Sequence, residues 1–130
     1  MYRLTSPLAI NVGRKKFILN LNQYRNTHYR TLNSAKIIYK RLMREQIECL
    51  PKLQPPIQMT YTVYKGDKRN CDIGNICSVH EKFFEDALVE LGKLPDDNHN
   101  MITKVTYEWG GIDKLSPSVS VLIEEVGRDV

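Results

Sequence analysis

Hydrophobic and polar positions change period several times along this chain, and each change marks an element. Ile57 to Tyr64 (IQMTYTVY) alternates apolar and polar residues and is rich in β-branched and aromatic side chains, which predicts a strand with one buried face. Farther on, Ile76, Phe83, Phe84, Ala87, Leu88 and Leu91 recur at helical spacing, and Gly92 stands where a C-terminal stop belongs. The start of that helix is open between Ile76 and Ser78, since Cys77 and Ser78 suit a loop-to-helix boundary equally well.

Before this pair of elements, Phe17 to Leu21 (FILNL) reads as a buried strand, while residues 1 to 15 are weakly patterned with room for a short strand. A helix is expected from a cap at Asn33 or Ser34 to about Glu48, with Ala35, Ile38, Tyr39, Leu42 and Met43 on its apolar face. The prolines of Leu50 to Pro56 end it. After Gly92, KLPDDNHN is a loop, Ile102 to Trp109 alternates as a strand, GGIDKLSPS turns, and Val119 to Val126 forms the last strand. The order strand, helix, strand, helix, strand, strand describes a small α/β (α+β) protein with a mixed four-stranded sheet and two main helices. At 130 residues the economical arrangement is one domain, residues 1–130, with no internal repeat.

Charge changes this picture more than composition does. Hydrophobic residues make up 42% and charged residues 26%, ordinary values for a soluble protein, and no apolar run is long enough to cross a bilayer. The first residues lack the pattern of a secretory signal, and three cysteines, an odd number in core-like settings, argue for reduced thiols, so a cytoplasmic location is expected. The net charge of +4 conceals a split. Residues 1 to 44 carry ten Lys or Arg and no acid, whereas residues 45 to 130 carry nine basic and fifteen acidic residues. A polyanion-binding part beside a cation-binding part would have this distribution, and so would an unevenly charged solvated surface.

Within the basic third, Tyr24, Arg25, His28, Tyr29 and Arg30 combine ring faces and guanidinium forks that can stack on unpaired bases and grip phosphates, or simply cover a domain edge. Lys36, Lys40 and Arg44 recur every four residues as a phosphate rail or a solvated helix face, and Lys68 and Arg69 add basic groups in the KGDKRN loop. In the acidic part, Asp72 precedes the second helix and Asp96 and Asp97 follow it. If folding gathered them, their oxygens would suit Mg²⁺, with Mn²⁺ as a substitute, and a phosphodiester-cleaving site would result. PDDN is also an ordinary turn sequence. Lys82 could steady a phosphate or sit in an exposed Glu and Lys surface. Cys71, Cys77, His80 and His99 are zinc-type donors, but they lack the usual close cysteine pair. No Gly-rich phosphate cradle is present, and no small-molecule cofactor is expected.

Taken together, Asp72-Ile-Gly-Asn75, Lys82-Phe-Phe-Glu-Asp-Ala-Leu88, Gly92, Pro95-Asp96-Asp97-Asn98 and Val105 to Trp109 resemble the RusA family of Holliday junction resolvases. The likeness covers residues 57 to 126 well and LNLNQYRN more loosely. It implies a RusA-like fold and a homodimer that resolves four-way DNA junctions by paired Mg²⁺-dependent nicks, with other branched DNA as a further class of substrate. It also implies a phage or bacterial setting. Carried over by position, Asp72, Asn75, Lys82 and Asp97 match the family's catalytic residues, with Asp96 beside them. The pattern departs at Gly74, where the family has a second aspartate, and four extra residues separate Asn75 from Lys82. Either fewer carboxylates hold the metal, or His80, Glu81 or Glu85 replaces the missing one, or catalysis is lost. The alternative is a branched-DNA or nucleic-acid-binding protein that keeps the fold without catalysis.

Overall fold

The computed structural model describes residues 1 to 127. Its elements are β1 (Tyr2–Pro7), β2 (Ala9–Val12), β3 (Lys15–Ile18), α1 (Leu21–Asn26), α2 (Tyr29–Glu48), β4 (Ile57–Lys65), α3 (Ile73–Glu90), β5 (Ile102–Ile112) and β6 (Ser118–Glu125). The main sheet is mixed and four-stranded in the order β1-β6-β4-β5, with β4 and β5 parallel and the other pairs antiparallel, while β2 and β3 form a separate hairpin. Four strands, mixed pairing and two main helices agree with the sequence reading. No helix among the described residues is long and apolar enough to cross a membrane, and none of the three cysteines is paired in a disulfide.

Alternation decides which face of the sheet is covered. Ile57, Met59, Tyr61 and Val63 of β4 and Val119, Val121 and Ile123 of β6 are buried, and they meet the buried Ala35, Tyr39, Met43 and Ile47 of α2 and Phe83, Phe84, Ala87 and Leu88 of α3. Each four-residue step in α2 keeps the same side toward the core. Phe83 is the junction of this core: its ring stacks with Phe17 at 5.9 Å and meets the edges of Tyr39 at 5.5 Å and Tyr24 at 6.4 Å, joining β3, α2 and α1 to α3.

Several boundaries differ from those expected, each for a local reason. The FILNL strand ends at Ile18, in the hairpin and not in the main sheet, because Asn20 turns the chain by accepting the Gln23 N–H at 2.8 Å and capping α1. The main helix begins at Tyr29 and not at Asn33 or Ser34, with His28 Nδ1 accepting the Arg30 N–H at 3.2 Å; Ser34 lies inside the helix and bonds back to the Arg30 carbonyl. Leu42, expected on the apolar face, is exposed. α3 begins at Ile73, three residues before the first expected start.

The largest surprise is β1, a full strand of the main sheet within the weakly patterned first residues. Its core side carries Leu4 and then Ser6, a polar residue that hides the alternation. At the far edge, β5 runs on to Ile112, past Gly110, where a Cβ would lie 2.6 Å from the Tyr64 ring. Only glycine lets the ring lie there.

Replacing Phe83 by Ala removes the ring that three elements share. The expected loss is ~3–5 kcal/mol of unfolding free energy, read from denaturant melts with an unchanged m-value.

Candidate active site

Helix α3 carries most of the candidate residues, and their distribution along it decides what they can do together. Asp72 is its N-cap: the carboxylate accepts the N–H groups of Gly74 at 3.0 Å and Asn75 at 3.3 Å, so an exposed acid satisfies two free donors of the first turn. A Cβ on Gly74 would sit 3.3 Å from Asp72 Oδ1, which leaves little room for a second acid beside the first. Asn75 occupies the first turn, half-buried.

Asp96 and Asp97 lie in the exposed loop beyond the other end of the helix. Asp96 accepts the Asp97 N–H at 2.8 Å and the Asn98 amide at 3.0 Å, so this carboxylate organises a turn. The loop feeds the first residue of β5, and β5 runs parallel to β4; Asp72 lies past the last residue of β4. The two acidic segments therefore sit at opposite ends of the sheet. Asp97 acts on the charge of Glu85, and Glu85 lies about 20 Å along the helix axis from Asp72. The expected gathering of Asp72 with Asp96 and Asp97 about one ion does not occur within one chain, because the helix between them holds them apart.

What gathers near Asp97 is a set of acids on α3. Glu85 is buried and accepts the Tyr61 hydroxyl at 2.7 Å, while one turn earlier Glu81 accepts the Tyr107 hydroxyl at 2.7 Å. Burial, with the negative charges of Glu81, Asp97 and Asp86 added, pushes the Glu85 carboxyl up to about 8, although the Tyr61 hydrogen bond pulls it down. Burial likewise raises Asp86, opposed chiefly by Lys36 and reinforced by Asp97. Spacing of i and i+4 and two facing tyrosines are visible in the sequence, but nothing there says that these acids point inward.

Cations close the other side. The Tyr24 ring has Lys82 Nζ at 5.5 Å and Lys36 Nζ at 6.0 Å from its centroid, so three residues from α1, α2 and α3 meet beside Asp86. The rest of the basic set is dispersed. Lys40 pairs with Glu90 at 2.6 Å, Arg44 approaches Glu48 at 3.8 Å, and Arg69 pairs with Asp67 at 2.9 Å. Arg25 is exposed, and Arg30 lies over the Tyr29 ring at 5.9 Å. Lys68 and Arg69 line a cleft with Cys71, Ile73, Trp109 and Ile112 at the Asp72 end.

Carboxylate oxygens in excess around Glu85 and Asp97 have the donor chemistry of a hard divalent cation. Among the described residues, however, no three His, Cys, Asp or Glu side chains converge as an ion's ligand set, so one chain supplies donors without closing a site. The zinc-type set is dispersed as well: Cys77 is buried with its thiol pushed up to about 12, above all by desolvation, and His99 lies in the exposed loop. His80, a candidate replacement for the missing aspartate, is buried with Nδ1 2.6 Å from Ser6 Oγ, and desolvation lowers it to about 3. It belongs to the core. Glu81 and Glu85 stand farther along α3, beside Tyr107 and Tyr61 and away from Gly74.

No protein-family model matches this chain, and none of the curated proteins matches it.

Because the folded pKa of Glu85 lies above its ordinary value of 4.5, the folded state holds a proton that the unfolded chain has released, and stability falls as pH rises from about 4.5 through about 8. Glu85→Gln keeps an acceptor for Tyr61 and removes the titration. Its unfolding free energy is expected to decline less than that of the parent between pH 6.5 and 8.5, measured by urea melts across that range.

Proposed function

We propose that this protein is a divalent-cation-dependent endonuclease of branched DNA, with four-way junctions as its substrate. The observation that carries the reading is the meeting of Tyr24, Lys36 and Lys82 beside Asp86 and Asp97. An aromatic ring with two ammonium groups close to it suits an unpaired base with its phosphates, as a branch point presents. Lys82 Nζ is a donor for the phosphate at which charge develops during cleavage, and Lys36 holds the neighbouring phosphate in register. Asp97, with Asp96 and the acids of α3, would hold Mg²⁺ or Mn²⁺, which supplies Lewis acidity at the phosphodiester. Retention of Asp72, Asn75, Lys82 and Asp97 in the order of the RusA-like pattern supports the same reading. A two-fold dimer would present two such sites to opposed strands of a junction that is itself close to two-fold symmetric.

A second reading, a junction-binding protein without catalysis, is favoured by one observation: no ligand set closes within a single chain among the described residues. The two separate in one assay. A labelled four-way junction should be nicked by the purified protein in Mg²⁺ or Mn²⁺ and left intact in EDTA, with linear duplex cut far less. Lys82→Ala and Asp97→Asn should each lower the rate by about 10²–10³-fold, while Lys36→Ala should weaken binding and reduce the slope of log affinity against log salt by about one. Tight junction binding with no nicking in either metal establishes the second reading in place of the first.

A further inference from the structure

The nuclease reading uses only one of the basic residues that recur along α2. Lys36 stands by Tyr24, whereas Lys40, Arg41 and Arg44 join Ile37 in lining a separate concavity of about 240 Å³. Their spacing from Ile37 is i+3, i+4 and i+7, so one face of the helix carries all four.

Ile37 is the member of this set that phosphate binding does not explain. It is 54% exposed, although the neighbouring Ile38 packs against the core and Ala35, Tyr39, Met43 and Ile47 already fill the buried side of the helix. Cations surround it. A nucleic-acid backbone is bound by cations alone, and an apolar side chain among them strips water from phosphate oxygens without returning a hydrogen bond. The concavity is also small for a free organic ligand, since such pockets usually enclose about 300–1,000 Å³. One apolar side chain flanked by carboxylates matches all four residues.

The chain's own acids show this pairing at two of the three cations. Glu90 Oε2 lies 2.6 Å from Lys40 Nζ, and Glu48 Oε1 lies 3.8 Å from Arg44 Nε. Surface pairs of this kind are weak enough to exchange for an incoming carboxylate. Arg41 forms no ion pair among the described residues, and its guanidinium fork can take a carboxylate with two parallel hydrogen bonds.

We propose that this face of α2 docks an acidic segment of another protein, which seats one large apolar side chain on Ile37 and sets carboxylates on Arg41, Lys40 and Arg44. Opposite charge steers the segment to the helix and fixes its register, and the apolar contact distinguishes it from other polyanions. The proposal does not rest on the nuclease reading.

Fluorescence anisotropy with three labelled probes tests it: the peptide DEEDFLDEED, its counterpart DEEDSSDEED, and a linear DNA duplex. The first peptide should bind about tenfold or more tighter than the second, because only it buries apolar side chains. Ile37→Ser should weaken the first peptide about fivefold or more and leave the second peptide and the duplex unchanged. Arg41→Glu should weaken both peptides about tenfold. Both positions are exposed, so thermal melts of the two variants should match the parent. Equal affinity for the two peptides, no binding of either, or an Ile37→Ser protein that binds the first peptide like the parent overturns the proposal. An Arg41→Glu protein that loses the duplex and keeps the peptide assigns this face to DNA phosphates and overturns it as well.

Discussion

The parallel pairing of β4 with β5 is the constraint on which the rest of the molecule depends. Two parallel neighbours cannot be joined by a hairpin, so the chain must leave one end of β4, travel the length of the sheet and re-enter at the other end. α3 is that return path, and its 18 residues set how far apart its flanking loops fall. The same crossover explains why so much of α3 is buried: it lies on β4 and β5 while α1 and α2 close over it, so residues on more than half its circumference meet other elements. A helix enclosed in this way can carry acids into the interior, which an exposed helix cannot.

Tyrosines and a serine meet these interior acids and one nitrogen of the interior base, while His80 Nε2 is buried without a hydrogen-bond partner among the described residues. Tyr61 donates to Glu85, Tyr107 donates to Glu81, and Ser6 Oγ lies 2.6 Å from both the Tyr39 hydroxyl and His80 Nδ1. A buried polar group left unpaired costs about 1–3 kcal/mol, so removing any one of these partners exposes the cost of the other. His80 and Glu85 are pushed toward their neutral forms from opposite directions, His80 down and Glu85 up, and desolvation is the first cause for both. The core therefore admits polar atoms more readily than charge.

Much of this architecture is legible in the amino-acid sequence. The β4 alternation, the α3 spacing and the two main helices follow from period, because each has one face in the core and one outside it. What is not legible comes from polar residues in structural roles. Ser6 in the core conceals β1, His28 as a cap shifts the start of α2 by five or six residues, and Asp72 as a cap extends α3 backwards. At the candidate site the sequence points to Lys82, Tyr24 and Lys36 without any means of saying that they meet. It places Asp72 and Asp97 on either side of one helix, but order along a chain carries no direction in space, and a crossover sends the two ends apart.

The charge split in the sequence also takes on a different meaning once folded. The basic first third does not stand apart as a separate surface; it supplies α1 and α2, which pack on the acidic α3. Contact neutralises part of it, as Lys40 against Glu90 illustrates. Lys36 and Lys82 instead lie close to the Tyr24 ring, beside acids that already repel one another. Surface ion pairs of the first kind contribute about 0–1 kcal/mol each, too little to account for so uneven a distribution. Cations and anions kept close but not paired off retain their fields, so the fold preserves a local charge contrast beside Tyr24 that its surface ion pairs do not cancel.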